Sequence, residues 1–289
     1  MPCVDVKKIT MTLLEFKNHF FKNLKSINSQ NEIEEFFFWL IEHHCNINRM
    51  GFMMNSSFKL SIIQTNNLFK SISLLKKNTP IQYVIGETEF MNLKFKLNNK
   101  VLIPRPETEE LVSWVINDDN ENKRILDIGT GSGCIAISLA KFIKNSNVIA
   151  WDVDKKILSI ANKNAIMNNV KILFELIDIS KVKSDRKFDI IISNPPYVCE
   201  NEKTKMKDNV LLFEPHLALF VNDNDPLFFY SRIIDFARLS LNNRGKIFLE
   251  INENYSKRVV KLLKNAEFQD IELRKDFRQK NRMIKACFK

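Results

Sequence analysis

The stretch that decides the reading of this chain is Phe188-Asp189-Ile190-Ile191-Ile192-Ser193-Asn194-Pro195-Pro196-Tyr197. Its first five residues form a short, apolar, β-branched run, the pattern of a strand buried on both faces of a parallel sheet. Neither Pro195 nor Pro196 can donate a backbone hydrogen bond, and each pushes its preceding residue into an extended conformation. Asn194–Tyr197 is therefore expected to be a stiff bracket at the carboxyl end of a central strand, where open α/β sheets bind ligands. It offers an amide oxygen, free backbone carbonyls and a flat aromatic face, groups that suit a planar nitrogen carrying two hydrogens. In isolation such a tetrapeptide reads more simply as a tight Pro-Pro turn with one Tyr packed on its scaffold. The strand before it, and a glycine-rich stretch upstream, favour a ligand site.

That upstream stretch is Arg124-Ile125-Leu126-Asp127-Ile128-Gly129-Thr130-Gly131-Ser132-Gly133-Cys134-Ile135-Ala136-Ile137, a strand, a glycine loop and a helix. The glycines allow a tight turn and close backbone approach, and the helix start offers unpaired N–H groups. A second strand, Val148-Ile149-Ala150-Trp151, ends in Asp152, placed to accept hydrogen bonds from ribose hydroxyls. Gly131-x-Gly133-x-x-Ala136 also satisfies a relaxed dinucleotide fingerprint. The pattern points to an adenosine-containing ligand without naming it. A helix over Asp154–Asn168 and a third strand over Lys171–Ile177 follow, with Asp178 at the strand end where an adenine edge fits.

Before this core, residues 10–78 read as helical. Phe-rich Glu32–Ile41 should sit inside a small bundle with segments around Leu13–Leu24 and Phe58–Leu75, and residues 57–78 form its last helix. Residues 81–103 alternate at Gly86, Phe90, Leu93, Phe95 and Leu97, and Asn98-Asn99 signals a turn, so a β-hairpin is expected. A Pro104–Pro106 loop then leads into a helix starting at Glu107 or Thr108. Beyond the bracket come a charged excursion (Glu200–Asn209), a helix (Pro226–Leu241), a turn (Asn242–Gly245), and a fifth strand (Lys246–Ile251). Another helix and two strands near Ile271–Leu273 and Arg282–Phe288 close the chain as an antiparallel ribbon.

Composition narrows the classes. The 289 residues are 45% hydrophobic and 10% aromatic, enough for one large or two modest globular domains. No run approaches the ~20 apolar residues that span a bilayer, and Met1–Lys8 lacks an apolar signal region. Cys3, Cys45, Cys134, Cys199 and Cys287 show no CxxC spacing, as expected of a reduced cytoplasmic protein without structural zinc. His43 and His44 are adjacent while His19 and His216 are remote, so no metal site is expected. The net charge of +10 is concentrated at the carboxyl end, where residues 257–289 hold eleven Lys/Arg against four Asp/Glu. That fits a polyanionic partner such as RNA. It fits solvated lysines in a Lys-, Asn- and Ile-rich chain as well, so charge alone selects neither.

Gly129–Gly133, Asp152 and Asn194–Tyr197 resemble the motifs of class I S-adenosylmethionine-dependent methyltransferases that act on planar nitrogens. Pro80-x-x-Tyr83-x-x-Gly86-x-x-x-Phe90, Leu102-Ile103-Pro104-Arg105-Pro106-Glu107-Thr108-Glu109 and Glu214-Pro215-x-x-Ala218-Leu219 are similar to those of the HemK family of protein-(glutamine-N5) methyltransferases. The resemblance covers roughly residues 32–289. The chain departs from the family pattern at Asn252 and Arg278, where the family has glycines, and at Ile179, where some members place an aromatic.

The resemblance implies a Rossmann-like α/β fold with a seven-stranded, mostly parallel sheet. A small helical substrate-docking domain (1–80) would be joined by a hairpin linker (81–106) to the methyltransferase domain (107–289). It implies S-adenosylmethionine as cofactor, held by Gly129, Thr130, Gly131, Ser132, Gly133, Asp152, Asp178, Ile179 and Asn194. The acceptor would be the glutamine of the Gly-Gly-Gln motif in peptide chain release factors, bound by Asn194, Pro195, Pro196 and Tyr197. Asn194, Pro195 and Tyr197 would be catalytic: the Asn194 oxygen and the Pro195 carbonyl accept the two amide hydrogens while Tyr197 packs on the amide plane. A monomeric cytoplasmic enzyme needing neither membrane nor nucleic acid is expected. Glutamine methylation of a ribosomal protein, adenine-N6 methylation of nucleic acid with a flipped base, and non-catalytic nucleotide binding remain as alternatives.

Overall fold

The computed structural model describes residues 11–118, 121–182 and 185–289; Cys3 and the Met1–Lys8 segment lie outside them. The described chain forms two compact units, one ending at Gly86 and one beginning at Glu87.

The first unit is helical: α1 (Leu13–Leu24), α2 (Gln30–Cys45), α3 (Arg49–Met54), α4 (Ile62–Leu75) and α5 (Ile81–Ile85). Three of these begin with a reciprocal cap, Thr12 with Glu15, Ser29 with Glu32, and Ser61 with Gln64. Each satisfies two N-terminal N–H groups that would otherwise lack partners. The Ser61 cap starts α4 at Ile62, later than the last helix expected from residue 57. Before it, Phe58–Leu60 runs extended, with the Leu60 N–H donating to the Met11 carbonyl. Phe16, Phe20, Phe37 and Phe52 fill the centre; the Phe37 and Phe52 rings meet edge-on at 5.2 Å.

The second unit opens with a hairpin, β1 (Glu87–Phe90) and β2 (Leu93–Lys96). Its turn is Met91-Asn92, not Asn98-Asn99. Met91 and Asn92 both take positive φ (52° and 57°), as a two-residue turn matched to strand twist requires. Asn98 instead closes the next loop, accepting from Lys100 and Val101 N–H groups. Residues 81–85, expected in the hairpin, are helix α5, which Gly86 terminates in the left-handed region. The hairpin is pinned to its own unit: Asn164 exchanges two hydrogen bonds with the Lys96 backbone, and Asn168 donates to the Lys94 carbonyl.

Then follow α6 (Pro106–Ile116), β3 (Arg124–Ile128), α7 (Cys134–Phe142), β4 (Asn147–Asp152), α8 (Lys155–Met167), β5 (Leu173–Leu176) and β6 (Phe188–Ser193). Beyond β6 lie β7 (Val198–Cys199), a 3-10 turn over Glu200–Lys205, α9 (Asp208–Phe213), α10 (His216–Leu219) and β8 (Phe220–Val221). The chain ends in α11 (Phe228–Ser240), β9 (Leu241–Glu250), α12 (Ser256–Asn265), β10 (Gln269–Lys275) and β11 (Asn281–Cys287). The expected turn at Asn242–Gly245 is a bulge within β9, because Leu241 already pairs with Phe188 before Lys246 pairs with Ile190.

Seven strands form one sheet in the order β10-β11-β9-β6-β3-β4-β5, antiparallel only at the β10-β11-β9 edge. Strand residues alternate between two cores. Leu126, Ile128, Ile191, Ile247 and Leu249 face α11 and α12, while Ile125, Ile190, Ile192 and Phe248 face α6 and α7. Helices therefore cover both faces, which is why these strands read as continuous apolar runs. After β3 the chain steps outward to β4 and β5, then crosses back to place β6 on the other side of β3. The gap between β3 and β6 is the topological switch point of an open sheet.

Candidate active site

Four parallel strands deliver their carboxyl ends to one edge: β3 ends in the glycine loop, β4 in Asp152, β6 in Asn194–Tyr197, and β9 in Glu250. Ser193 and Ile128 are register partners, and the Ser193 hydroxyl donates to the Ile128 carbonyl at 2.7 Å, tying the two halves of the switch point together. The glycine loop and the bracket thus start from adjacent strand ends.

Gly133 caps α7 with φ +83°, and a Cβ there would stand 3.0 Å from Ile137 Cδ1 and 3.2 Å from Ala161 Cβ, so close packing demands glycine. Gly129 and Gly131 also have positive φ, but a Cβ on either would meet nothing within 4 Å. The loop is therefore open above these two glycines. Thr130 and Ser132 are buried instead; the Thr130 hydroxyl donates to Asp127 Oδ2 at 2.6 Å. Of the loop residues expected to hold a cofactor, Gly129 and Gly131 present backbone to the open side, while those two side chains turn inward.

Asp152 is nearly buried. Its Oδ2 accepts from the Gly131 N–H at 3.0 Å, and its Oδ1 from those of Val153 (2.8 Å) and Asp154 (3.3 Å). Burial raises its pKa against the pull of these three N–H groups. A carboxylate offers about four acceptor directions, so one on Oδ2 is left unfilled by the described residues. Asp127, wholly buried below the loop, is pushed up to about 7 by desolvation, with Asp152 adding to the rise and the Thr130 hydroxyl opposing it. Asp178 sits two residues past β5 and is committed locally: Oδ1 accepts from the Ser180 hydroxyl and N–H, and Oδ2 lies 3.4 Å from Lys181 Nζ. Ile179 packs against the core on the α11 side.

The bracket is held from three sides. Asn194 Nδ2 donates to Thr108 Oγ1 at 3.1 Å, Thr108 Oγ1 donates to Glu250 Oε2 at 2.6 Å, and the Tyr197 hydroxyl donates to Glu250 Oε1 at 2.8 Å. Pro195 is buried and Pro196 half-buried. Burial and the adjacent Glu250 charge hold the Tyr197 phenol well above its ordinary pKa, so it stays a donor. Burial likewise raises the Glu250 pKa, opposed by the Thr108 and Tyr197 hydroxyls and by the Arg282 guanidinium. Arg282 stands 5.9 Å from the Tyr197 ring centre, donates to the Ile251 carbonyl and pairs with Asp276 at 3.1 Å. Asn252, a departure from the family pattern, donates to the Tyr197 carbonyl and braces the bracket's far end.

Sequence reasoning missed Thr108 and Glu250 as site residues. Thr108 read as a helix start, although α6 begins at Pro106 and the Thr108 side chain bonds Glu250 instead of capping the helix. The available signal was chemical: Glu250 ends the apolar run Ile247-Phe248-Leu249, and a carboxylate in such a strand must find donors. A second link is also tertiary. Arg105 pairs with buried Glu214 at 2.6 Å across 109 residues, joining the Pro104–Glu109 and Glu214–Leu219 motifs.

Residues 107–217 match the methyltransferase small domain family, and residues 15–86 match the PrmC N-terminal domain. A release factor glutamine methyltransferase of Flavobacterium psychrophilum is 44% identical over 285 residues, covering 96% of this chain and 100% of that protein. One from Bacteroides thetaiotaomicron is 41% identical over 242 residues, covering 83% and 87%. A solved methyltransferase from Pyrococcus furiosus shares the fold with a TM-score of 0.53 at 18% identity, over 78% of this chain and 97% of that one. Aligned along nearly its whole length with such relatives, the chain belongs to the release factor glutamine methyltransferase family.

Proposed function

We propose that this protein transfers a methyl group from S-adenosylmethionine to the side-chain amide nitrogen of the glutamine in the Gly-Gly-Gln motif of peptide chain release factors. The observation that carries the reading is the bracket at the switch point, with Asn194 held through its Nδ2 and no donor on its Oδ1 among the described residues. The open side of Gly129 and Gly131 and the unfilled direction on Asp152 Oδ2 fit a nucleoside. Gly129–Gly133 and Asp152 would hold the cofactor, with Asp178 and Ile179 beyond its adenine end. When bound, the cofactor supplies a methyl group already activated on a sulfonium.

The chain's own task is then to aim a poor nucleophile. An amide nitrogen has its lone pair delocalised into the carbonyl. Asn194 Oδ1 and the Pro195 carbonyl accept the two amide hydrogens, which draws density onto nitrogen and fixes its direction, while the Tyr197 ring packs on the amide plane. The gain is orientation and electrostatics; the proton leaves late, to water. The helical unit docks the protein substrate, and its most exposed apolar side chains are Met50, Met53, Met54 and Ile63. On this reading the enzyme acts as a cytoplasmic monomer and needs no nucleic acid.

The test is label transfer from radioactive S-adenosylmethionine to purified release factor, with the labelled residue located. Label on the Gly-Gly-Gln glutamine, lost when that glutamine is replaced, is expected. Asn194→Ala should cut turnover by ~10²–10³ while leaving cofactor binding largely intact. Methyl-adenine in added nucleic acid with no labelled release factor, or label in a ribosomal protein alone, overturns the reading.

A further inference from the structure

A carboxamide has two orientations of nearly equal shape that exchange its oxygen with its NH2. For Asn194 the difference is decisive. With Oδ1 toward the acceptor it receives an amide hydrogen; with the NH2 there, two donors face each other and the acceptor is repelled. Packing alone cannot choose between them.

The hydrogen bonds around it choose. A threonine hydroxyl has one proton to give. That of Thr108 goes to Glu250 Oε2 at 2.6 Å, within the range of a hydroxyl bonded to a charged oxygen. Toward Asn194, 3.1 Å away, Thr108 Oγ1 is left as an acceptor only, and Nδ2 is the only atom of the amide that can satisfy it. Glu250 cannot turn aside, because its other oxygen is taken by the Tyr197 hydroxyl at 2.8 Å. Glu250 is 1% exposed and Thr108 2%, so water does not replace either partner. Burial raises the Glu250 pKa, but the two hydroxyls and Arg282 favour the carboxylate, the form that accepts from Thr108 and Tyr197 at once. Tyr197 belongs to the same bracket as Asn194, so the chain of bonds leaves the bracket at one end and re-enters it at the other.

We propose that Thr108 and Glu250 are positioning residues that lock the Asn194 amide with its oxygen toward the acceptor nitrogen. This rests on the amide methylation proposed above. Thr108→Val keeps the shape of the side chain but removes its hydroxyl. It should lower kcat by roughly 10–100-fold, as loss of a ligand's supporting partner typically does, short of the loss on removing Asn194 itself. Thr108→Ser keeps the hydroxyl and should recover most of that loss. Calorimetric binding of S-adenosylhomocysteine checks that each variant is folded.

The decisive experiment is a double-mutant cycle in kcat. If Thr108 acts through Asn194, adding Thr108→Val to Asn194→Ala lowers kcat by less than about twofold more. Multiplying losses would mean that Thr108 acts independently and would sink the proposal. So would a Thr108→Val enzyme with normal kcat beside a crippled Asn194→Ala enzyme, an outcome that leaves the amide-methylation reading standing. Should Thr108→Val not fold, Glu250→Gln run through the same cycle decides, because a carboxamide cannot accept from both hydroxyls and loses the lock. Normal turnover in Asn194→Ala would remove both readings together.

Discussion

Replacing Asp152 with alanine offers a test whose size can be worked from the hydrogen bonds of one carboxylate. Oδ1 is occupied by two N–H groups, from Val153 and Asp154, and Oδ2 by one, from Gly131. With about four acceptor directions available, a single ribose hydroxyl can be received, on Oδ2. One hydrogen bond to a charged group contributes about 1.5–3 kcal/mol, so the cofactor Kd should rise by roughly 10–150-fold in Asp152→Ala. A second effect runs alongside. The Gly131 N–H loses its partner, at about 1 kcal/mol of folding stability, while the Gly129 and Thr130 N–H groups still hold the loop to the Trp151 carbonyl of β4. Titration calorimetry with S-adenosylhomocysteine gives the first quantity and urea unfolding of the free protein gives the second. An Asp152→Ala protein whose Kd stays within about twofold of the parent, with stability lowered, would refute the ribose role and leave Asp152 as a loop clamp.

Three further outcomes are expected. Asp127 has a folded pKa of about 7 against ~3.9 when unfolded. The stability it contributes is therefore complete below about pH 4 and is lost as pH rises through about 7. Asp127→Asn should lack that fall, so parallel urea-midpoint curves for parent and variant between about pH 4 and 8 would count against the assignment. Arg105→Ala strands the buried Glu214 carboxylate. It should cost about 2–3 kcal/mol in urea unfolding, less than breaking a fully buried pair because the guanidinium is partly solvated, and a loss under about 1 kcal/mol would contradict this. Met53→Glu with Ile63→Glu, on the exposed apolar residues of α3 and α4, should raise KM for release factor while leaving S-adenosylhomocysteine affinity unchanged; an unchanged KM would exclude this surface from docking.

Local patterns were legible where a single element states its own chemistry. The run Phe188–Ile192 had to be a doubly buried strand, because no polar face was available to put in water, and it is the middle strand of seven. The glycine loop and Asp152 were readable from spacing, since a strand–loop–helix unit brings its own ends together. Short-range competition was harder to read. Asn98-Asn99 looked like the hairpin turn, but Met91-Asn92 adopts the positive φ pair and lets Phe90 and Phe95 both enter the core. Helix α4 likewise starts where Ser61 and Gln64 cap each other, not where apolar spacing begins.

What the sequence by itself determined is the set of chemical groups and the strand ends that carry them: the glycine loop, Asp152, and the Asn194–Tyr197 bracket. Only the tertiary structure decided how the bracket is aimed. Thr108, Glu250 and Asn194 come from a helix start, a strand end and a loop, with Glu250 and Asn194 separated from Thr108 by 142 and 86 residues. No local spacing encodes their meeting. It follows from burial, since a carboxylate and two hydroxyls enclosed together must exchange the hydrogen bonds that water would otherwise supply.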